Sequence, residues 1–188
     1  MIIRQTTKEI LAESLKELSA VKPIDKITIK EIVQNCGLTP PTFYNHFHDK
    51  YALIEWIYST EAEKIMKKID NDGYTWKDSL ADGINYFLAN RDFLKNLIAN
   101  TSGQTSFINY VAQFNVKVLS DYIKRSHNIQ TLSKDVEIAV KVYCYGTVCT
   151  ICEVIMKSSA VSKKDFVKML EDALPELLKR YLYKSSQK

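Results

Sequence analysis

The sequence predicts an all-α protein in which a three-helix, N-terminal helix-turn-helix head is joined to a larger helical body. The first reason is that apolar residues recur three and four residues apart along almost the whole chain, which is the period of an amphipathic helix. The second is that Thr6 and Thr28 are each followed by a glutamate three residues later and then by apolar residues at helical spacing, a signature of helix starts. The third is composition, because five glycines and four prolines among 188 residues leave little material for sheets with tight turns.

The first helix of the head is predicted to begin after Thr6. Thr6 and Glu9 have the spacing of a capping box, in which each side chain satisfies a backbone N–H group of the other residue. The apolar residues that follow share one helical face and should be buried: Ile10, Leu11, Leu15 and Leu18.

Two short helices joined by a glycine turn are predicted next. Thr28 followed by Glu31 is a second capping box, so a helix should start there. Gly37 after Cys36 is typical of a left-handed helix end, and Thr39 is a suitable cap for the next helix. This order of cap, helix, glycine turn, cap and helix is the pattern of a helix-turn-helix.

The second helix of this pair is predicted to run from Pro40 to Phe47, about two turns at 3.6 residues per turn. A helix of that length is not stable alone and must pack against a neighbour. Phe43 and Phe47 lie four residues apart and supply the inward face.

The outward side of the same helix carries Thr42 and Asn45, with Tyr44 and His46 on its flanks. These side chains offer hydrogen-bond donors and acceptors without a carboxylate that would repel phosphate, which suits a recognition helix in the major groove of DNA. The alternative is an ordinary polar face on a small helical hairpin, and the residue chemistry by itself leaves both interpretations open.

The rest of the chain is also predicted to be helical. Asp49 should cap a long helix that leads out of the head, and Asn71-Asp72-Gly73 should form a turn after it. Three further helices are predicted from their apolar stripes, which run from Trp76 to Leu88, from Phe93 to Ile98 and from Phe107 to Tyr122.

The last two predicted helices are unusually apolar. Residues 134–157 are apolar on nearly every side, so this helix must be covered all round. The final helix has a broad apolar stripe from Phe166 to Leu182, and Pro175 should kink it because proline removes an interior hydrogen bond. These helices either complete the core of a monomer or pack against a second copy of the chain.

The region from residue 28 to 50 resembles the N-terminal helix-turn-helix of the TetR family of bacterial transcription regulators. The resemblance covers about residues 5 to 55 and rests on T-I-x-E-I at Thr28, C-G-L-T at Cys36, T-F-Y-N-H-F at Thr42 and D-K at Asp49. Family members usually carry a small, serine or basic residue where this chain has Pro40 and Pro41. Both prolines fall in the first helical turn, where backbone N–H groups lack partners anyway, so the departure affects base preference more than fold.

The resemblance implies a homodimer on a palindromic double-stranded DNA operator. Residues 1–50 would be the helix-turn-helix DNA-binding domain and residues 51–188 the helical effector-binding and dimerisation domain, whose last two helices form a four-helix bundle with the second subunit. The implied DNA contacts are Thr28, Thr39, Thr42, Tyr44, Asn45, His46 and Lys50. Thr42 and Asn45 are the candidates for base edges, whereas Tyr44, His46 and Lys50 would mainly bind phosphate.

The body segment Asn90-Arg-Asp-Phe93 and the aromatic-rich body resemble the TetR branch of dihydroxyacetone-kinase regulators. The resemblance implies control by a small-molecule effector or by a protein co-regulator. The candidate effector-binding residues are Arg91, Phe107, Tyr110, Tyr143 and Glu153. For each aromatic residue taken singly, a place in the core is the better explanation, and Glu153 either needs a partner inside the helical body or faces solvent at its rim.

No catalytic residue, cofactor or metal site is predicted, because the sequence lacks the G-x-S-x-G, P-loop, Rossmann and H-E-x-x-H patterns. Cys149 and Cys152 form a CxxC inside an apolar helix without a second pair of metal ligands, so they are predicted to be buried structural cysteines. The protein is therefore not expected to be an enzyme.

A cytoplasmic protein without a membrane partner is predicted, since no secretory pattern opens the chain and its longest apolar region, Val142–Met156, is too short to span a bilayer. The net charge is +4, but residues 1–50 carry seven Lys and Arg against six Asp and Glu, so bulk charge does not point to nucleic acid. The competing interpretation is a helical protein-interaction module that has lost DNA binding, for which the Pro40–Pro41 pair is the strongest support.

Overall fold

A computed structural model describes residues 5–69, 71–103, 106–157 and 162–183. Within these ranges all regular secondary structure is helical, which confirms the predicted all-α class. The helices are α1 (Thr7–Ser19), a short 3-10 helix (Ile24–Lys26), α2 (Ile29–Asn35), α3 (Pro40–Tyr44), α4 (Lys50–Lys68), α5 (Trp76–Ala89), α6 (Arg91–Asn100), α7 (Phe107–Ser126), α8 (Lys134–Lys157), α9 (Lys163–Asp172) and α10 (Glu176–Leu182).

The chain divides into two compact units. The head unit consists of residues 1–60 and 91–107, and the body unit consists of residues 61–90 and 108–188. The helix α4 therefore continues from one unit into the other, and α6 belongs to the head unit although α5 separates it from the first four helices. These units differ from the predicted domains, whose boundary lies after residue 50. The assignment of DNA binding to one domain and of effector binding to the other stays a prediction.

The core of the head unit is made by leucine, isoleucine and phenylalanine side chains from α1, α2, α3, α4 and α6. The predicted capping box is present, since the Thr6 N–H donates to the Glu9 carboxylate at 2.7 Å and the Thr6 hydroxyl accepts from the Glu9 N–H. The fully buried side chains include Leu11, Leu15, Ile32, Phe43, Leu53, Leu94 and Leu97. Burial of such side chains is the main term that stabilises a small helical unit.

The body unit has a core in which α5 packs against α9 and α8 packs against α10. Tyr143 of α8 is buried there, and its hydroxyl donates to the Leu170 carbonyl of α9 at 3.0 Å. At the edge of this core Glu171 accepts from the Lys77 ammonium at 2.7 Å and from the Tyr183 hydroxyl at 3.0 Å. These bonds tie α5, α9 and the segment after α10 together.

The predicted kinked helix at the C-terminal end is two separate helices. Pro175 has an extended backbone, with φ of −55° and ψ of 137°, and it is the N-cap of α10 rather than an interior residue of one helix. Proline has no N–H to donate to the preceding turn and restricts the residue before it, so α9 ends at Asp172. Helical structure then begins again in α10, where the Leu178 N–H donates to the Pro175 carbonyl at 2.8 Å.

The helix α8 is covered on one side only within the single chain. Its buried residues are Val136, Val140, Tyr143, Cys144, Val148, Cys152 and Ile155. The opposite side, called here the α8 face, consists of Ile138, Val142, Cys149 and Met156, and all four residues are exposed. The prediction that Cys149 is buried is therefore wrong for the isolated chain, because Cys149 lies on the side that α9 and α10 leave uncovered.

The helix α8 is also longer than the apolar stretch noted in the sequence. With 24 residues and a most apolar window of mean hydropathy 1.5, it is long and apolar enough, by length and composition only, to cross a membrane. This corrects the expectation that the region is too short. Helices in protein cores meet the same criterion, and 33% of that window is already buried inside this chain.

Candidate nucleic-acid interface

The candidate interface begins at the N-terminus of α2, where the predicted capping box is present. The Thr28 N–H donates to the Glu31 carboxylate at 2.8 Å, and the Thr28 hydroxyl accepts from the Glu31 N–H at 3.2 Å. Lys22 forms an ion pair with the same carboxylate at 2.6 Å. The bonds from Lys22 and from the cap favour the ionised acid and lower the pKa of Glu31 to about 2.

The turn between α2 and α3 has the geometry that the glycine predicts. Gly37 has a φ of 69°, in the left-handed region that a residue with a side chain rarely adopts. The Leu38 N–H donates to the Val33 carbonyl at 2.8 Å, and the Gly37 N–H donates to the Gln34 carbonyl at 3.3 Å. This pair of bonds is a Schellman motif, which ends α2 and sets the direction in which the chain enters α3.

The helix α3 is shorter than predicted, since it ends at Tyr44 and Asn45 is its C-cap. Its N-terminus also differs from the expectation: the Thr39 side chain makes no capping bond, and its hydroxyl lies 2.9 Å from the Thr42 hydroxyl instead. Pro40 and Pro41 occupy the first two helical positions, where the missing N–H groups cost nothing. The proline pair is thus compatible with the fold of the helix-turn-helix.

Two phenylalanines hold α3 in the head, as predicted. Phe43 is fully buried and Phe47 is 6% exposed, and their ring centroids lie 5.8 Å apart. The Phe47 ring also packs against Trp56 of α4 at 6.0 Å, and the Lys8 ammonium of α1 lies 5.5 Å from the Phe47 ring centroid. The recognition segment is therefore fixed to both α1 and α4.

The predicted contact residues mostly face solvent. Thr28, Thr39, Tyr44, Asn45 and His46 are exposed, and Thr42 is half-buried. Tyr44 is 57% exposed although it is one of the larger apolar rings of the head. This surface therefore combines an exposed aromatic ring with exposed amide and imidazole groups that can form hydrogen bonds.

The Lys50 ammonium, in contrast, is already hydrogen-bonded within the head unit. It donates to the Asp25 carbonyl at 2.7 Å and to the Ile27 carbonyl at 2.8 Å, at the end of the 3-10 helix. Burial lowers the pKa of Lys50 because the charged form loses solvation. An ammonium group has three N–H donors, so one remains for a phosphate oxygen.

A further residue that shapes this region, Asn96, has no signal in the sequence. Asn96 of α6 makes hydrogen bonds with residues 19–27, the segment that joins α1 to α2 and includes the last residue of α1. Its partners there are Ser19, Lys22 and Ile24. The 3-10 helix in that segment was also not predicted. Neither feature has a local sequence signal, because the bonding partners of Asn96 lie more than 70 residues away.

The candidate effector residues fall in both units. Arg91 and Phe107 belong to the head unit, where the 3%-exposed Phe107 packs edge-on against Tyr58 at 6.0 Å. In the body unit Tyr110 stacks on Phe114 at 5.9 Å, and Tyr143 is a buried core residue. Glu153 is exposed and forms an ion pair with Lys157 at 3.1 Å. Of the two positions predicted for Glu153, the structure therefore shows the one that faces solvent. Their assignment to an effector site stays a prediction.

All four cysteines are free thiols. No group of three His, Cys, Asp or Glu side chains suited to a metal ion occurs within the described residues. Burial raises the pKa of the Cys144 and Cys152 thiols to about 12, which disfavours the reactive thiolate. Only Cys149 of the CxxC is exposed.

Comparison with protein families gives two matches that together cover most of the chain. Residues 10–57 match the family described as bacterial regulatory proteins, tetR family. Residues 74–176, more than half of the chain, match the family described as transcriptional regulator C-terminal region. The first match contains the helix-turn-helix, and the second contains α5 to α9.

Among curated proteins, the chain is 25% identical over 91 residues to the HTH-type dhaKLM operon transcriptional activator DhaS of Lactococcus lactis. That alignment spans 48% of this chain and 48% of the activator, so the match covers about half of the length of this relative. The proteins identified in these comparisons are transcriptional regulators and not enzymes.

Two solved structures share the fold. One is a dihydroxyacetone kinase operon activator, DhaS, with a TM-score of 0.66 and 18% identity over 89% of this chain and 93% of that one. The other is the TetR family repressor AlkX from a Dietzia strain, implicated in n-alkane biodegradation, with a TM-score of 0.56 and 15% identity over 95% of this chain and 98% of that one. At these identities the likeness extends to the fold.

Proposed function

Given that the chain belongs to the TetR family of bacterial transcriptional regulators, in the branch that resembles DhaS, we propose that it acts as a homodimer on a palindromic operator. We also propose that it works in the cytoplasm and that a small-molecule effector or a protein co-regulator controls it. Proteins of this family are DNA-binding regulators.

The surface formed by α3 and its C-cap carries the DNA-binding proposal. Phe43 and Phe47 are buried against the rest of the head, while Tyr44, Asn45 and His46 are exposed on the same short segment. Thr42 and Asn45 would read base edges, because a side-chain amide can donate and accept together at the edge of an adenine. Tyr44, His46 and Lys50 would bind phosphate and fix the register of the head on the duplex.

Thr28 and Thr39 would act differently from these side chains. Each residue is the N-cap of a helix of the helix-turn-helix, and both are exposed. The Thr28 hydroxyl is already engaged with Glu31, so its contribution to phosphate binding would come from the helix terminus that it caps. The Thr39 hydroxyl pairs with Thr42 and can turn toward the DNA.

The α8 face carries the dimer proposal. Val142 is 64% exposed, Ile138 55% and Met156 42%, and Met169 of the neighbouring α9 is 54% exposed. Apolar side chains of this size are normally covered when they lie together on one helix face. A second copy of the same face would cover them, and twofold symmetry would place two heads on the two halves of a palindrome.

Selection of binding sites from a random DNA pool tests the proposal directly. The protein is expected to enrich a palindromic sequence whose half-sites lie one helical turn, about 34 Å, or a multiple of it apart. The selection is run with and without cell extract, which supplies any effector or co-regulator. If no sequence is enriched under either condition, the regulator proposal fails and a helical interaction module that has lost DNA binding becomes the better explanation.

Asn45→Ala is expected to weaken binding to the selected operator by about 1–3 kcal/mol and to leave binding to random DNA nearly unchanged. The reason is that a base-edge contact contributes only on the correct sequence. Titrations of both DNAs measure the difference, and Asn71→Ala, which removes an exposed asparagine from a turn in the body unit, is the matched control. Equal losses on both DNAs would assign Asn45 to the phosphate backbone.

Lys50→Ala is expected to lower the affinity for operator DNA and for random DNA by similar factors. It should also reduce the slope of log K against log salt by about one. Lys50 has one N–H donor left after its bonds to the Asp25 and Ile27 carbonyls, and its charge lies in the head unit. Lys67→Ala, at the exposed far end of α4, is the control. A loss of affinity without a change in salt slope would show that Lys50 only holds these carbonyls in place.

A further inference from the structure

Asn96 on α6 is bonded to three residues of the segment that joins α1 to α2. Its side-chain Nδ2 donates to the Ser19 carbonyl at 2.7 Å and to the Lys22 carbonyl at 2.8 Å. Its Oδ1 accepts from the Ile24 N–H at 2.8 Å. One amide group is thus hydrogen-bonded to the end of α1, to the following loop and to the start of the 3-10 helix.

The hydrogen-bonding capacity of this amide is fully used. Nδ2 carries two N–H groups, and both go to backbone carbonyls of the joining segment. The second acceptor position of Oδ1 is taken by Asn100, whose Nδ2 donates to Asn96 Oδ1 at 3.0 Å and to the Asn96 carbonyl at 2.9 Å. Asn100, one turn later on α6, therefore orients the Asn96 amide toward the segment that joins α1 to α2.

The segment that Asn96 holds leads directly into α2, the first helix of the helix-turn-helix. Lys22 bonds Asn96 through its carbonyl and Glu31, in the first turn of α2, through its ammonium. Ile24 is fully buried, and the carbonyls of Asp25 and Ile27 are held by Lys50 of α4. The segment is thus fixed by α6 near its start and by α4 near its end, immediately before α2 begins.

From this geometry we infer that Asn96 is a positioning residue for DNA binding. It holds the joining segment so that α2, and α3 beyond the rigid glycine turn, present Asn45 and its neighbours in one orientation. Neighbouring helices pack through non-directional apolar contacts, and the three bonds of Asn96 add the directional constraint that such contacts lack. This inference rests on the proposed DNA-binding function, because it concerns how the same surface is held.

The test compares Asn96→Ala with wild type and with Asn71→Ala. Amide hydrogen exchange is measured first, and the Ile24 N–H, whose acceptor is Asn96 Oδ1, should lose protection in Asn96→Ala but not in Asn71→Ala. Affinities for the selected operator and for random DNA are then measured at a temperature where circular dichroism shows each variant fully folded. Operator binding should fall by about tenfold or more, with random-DNA binding changed by less than about threefold.

A purely structural role would give a different pattern. If Asn96→Ala loses Ile24 protection and keeps wild-type operator affinity, the positioning role is overturned. Equal losses on operator and random DNA would show that Asn96→Ala weakens DNA binding without changing its specificity, and would overturn it as well. If wild type itself selects no operator, the proposed function fails, and this outcome is separate because no Asn96 variant is needed to observe it.

Asn100→Ala provides a second variant in case Asn96→Ala does not fold. It leaves the three bonds between Asn96 and the segment that joins α1 to α2 available. It removes only the Asn100 amide, which orients the Asn96 side chain. Operator affinity should fall by a smaller factor than in Asn96→Ala, on the order of threefold to fivefold, with random DNA unaffected. Unchanged operator affinity in folded Asn100→Ala, combined with an unfolded Asn96→Ala, would assign Asn96 to stability alone and overturn the inference.

Discussion

Phe43→Ala is expected to destabilise the head unit by about 3–5 kcal/mol and to abolish specific DNA binding. Phe43 is fully buried, and its ring packs against Phe47 at 5.8 Å and against Tyr44 at 5.7 Å. Truncation leaves a cavity under α3, a helix too short to persist without that contact. Because whole domains are stable by only about 5–15 kcal/mol, such a loss is enough to detach the recognition segment.

The measurement is urea unfolding followed by the fluorescence of Trp56, whose ring lies 6.0 Å from Phe47. The chain has two tryptophans, so a Trp76→Phe background makes Trp56 the only reporter. Tyr44→Ala is the matched control, since Tyr44 is the next residue on α3 and is 57% exposed. Its stability should change by less than about 0.5 kcal/mol, although its DNA affinity should fall. A Phe43→Ala protein that is as stable as this control would contradict the packing of α3.

Val142→Arg is expected to convert a dimer into a monomer and, with it, to remove tight binding to a palindromic operator. Val142 is 64% exposed in the single chain and lies on the α8 face between Ile138 and Cys149. If a second copy covers that face, the arginine brings an unpaired charge into an apolar contact, which costs several kcal/mol on each side of the interface. A monomer retains only one half-site contact, so its operator affinity falls toward that for random DNA.

Sedimentation equilibrium at micromolar concentration should give twice the chain mass of 21.6 kDa for wild type and the chain mass itself for Val142→Arg. Gln113→Arg, at an exposed position of α7, introduces the same charge elsewhere on the body and should remain dimeric. Cys149 supplies an independent readout because it lies on the α8 face. Its thiol should react slowly with a thiol reagent in wild type and quickly in Val142→Arg.

A wild-type protein that sediments as a stable monomer would remove the proposed interface and the argument for a palindrome together. Rapid labelling of Cys149 in a wild-type dimer would have a narrower consequence. It would show that the chain dimerises through a different surface and that the α8 face serves another partner.

The shortened α3 illustrates where the sequence was informative and where it was not. Its start at Pro40 and its buried Phe43 follow from residue type and spacing. Its end does not, because Asn45 and His46 have no strong preference that separates a last helical turn from a C-cap. The exposed faces of Tyr44, Asn45 and His46 were nevertheless assigned correctly, since burial of Phe43 and Phe47 decides which side of the segment faces outward.

Features that depend on neighbours within three to five residues can be predicted from the sequence alone. Thr6 with Glu9, Thr28 with Glu31, and Gly37 each fix a helix end through bonds that close inside one turn of chain. The break at Pro175 is also local, although the pattern could not tell a kink from the two separate helices that the structure shows.

Features that join distant parts of the chain depend instead on tertiary packing. Asn96 meets Ser19, Lys22 and Ile24, and Lys50 meets the carbonyls of Asp25 and Ile27, across sequence separations of 23 to 77 residues. The exposure of Cys149 was set in the same way, by which side of α8 the other helices happen to cover. Asparagine and lysine side chains bond equally well to water in any exposed position, so their residue type carries no information about a partner until packing brings that partner within hydrogen-bonding distance.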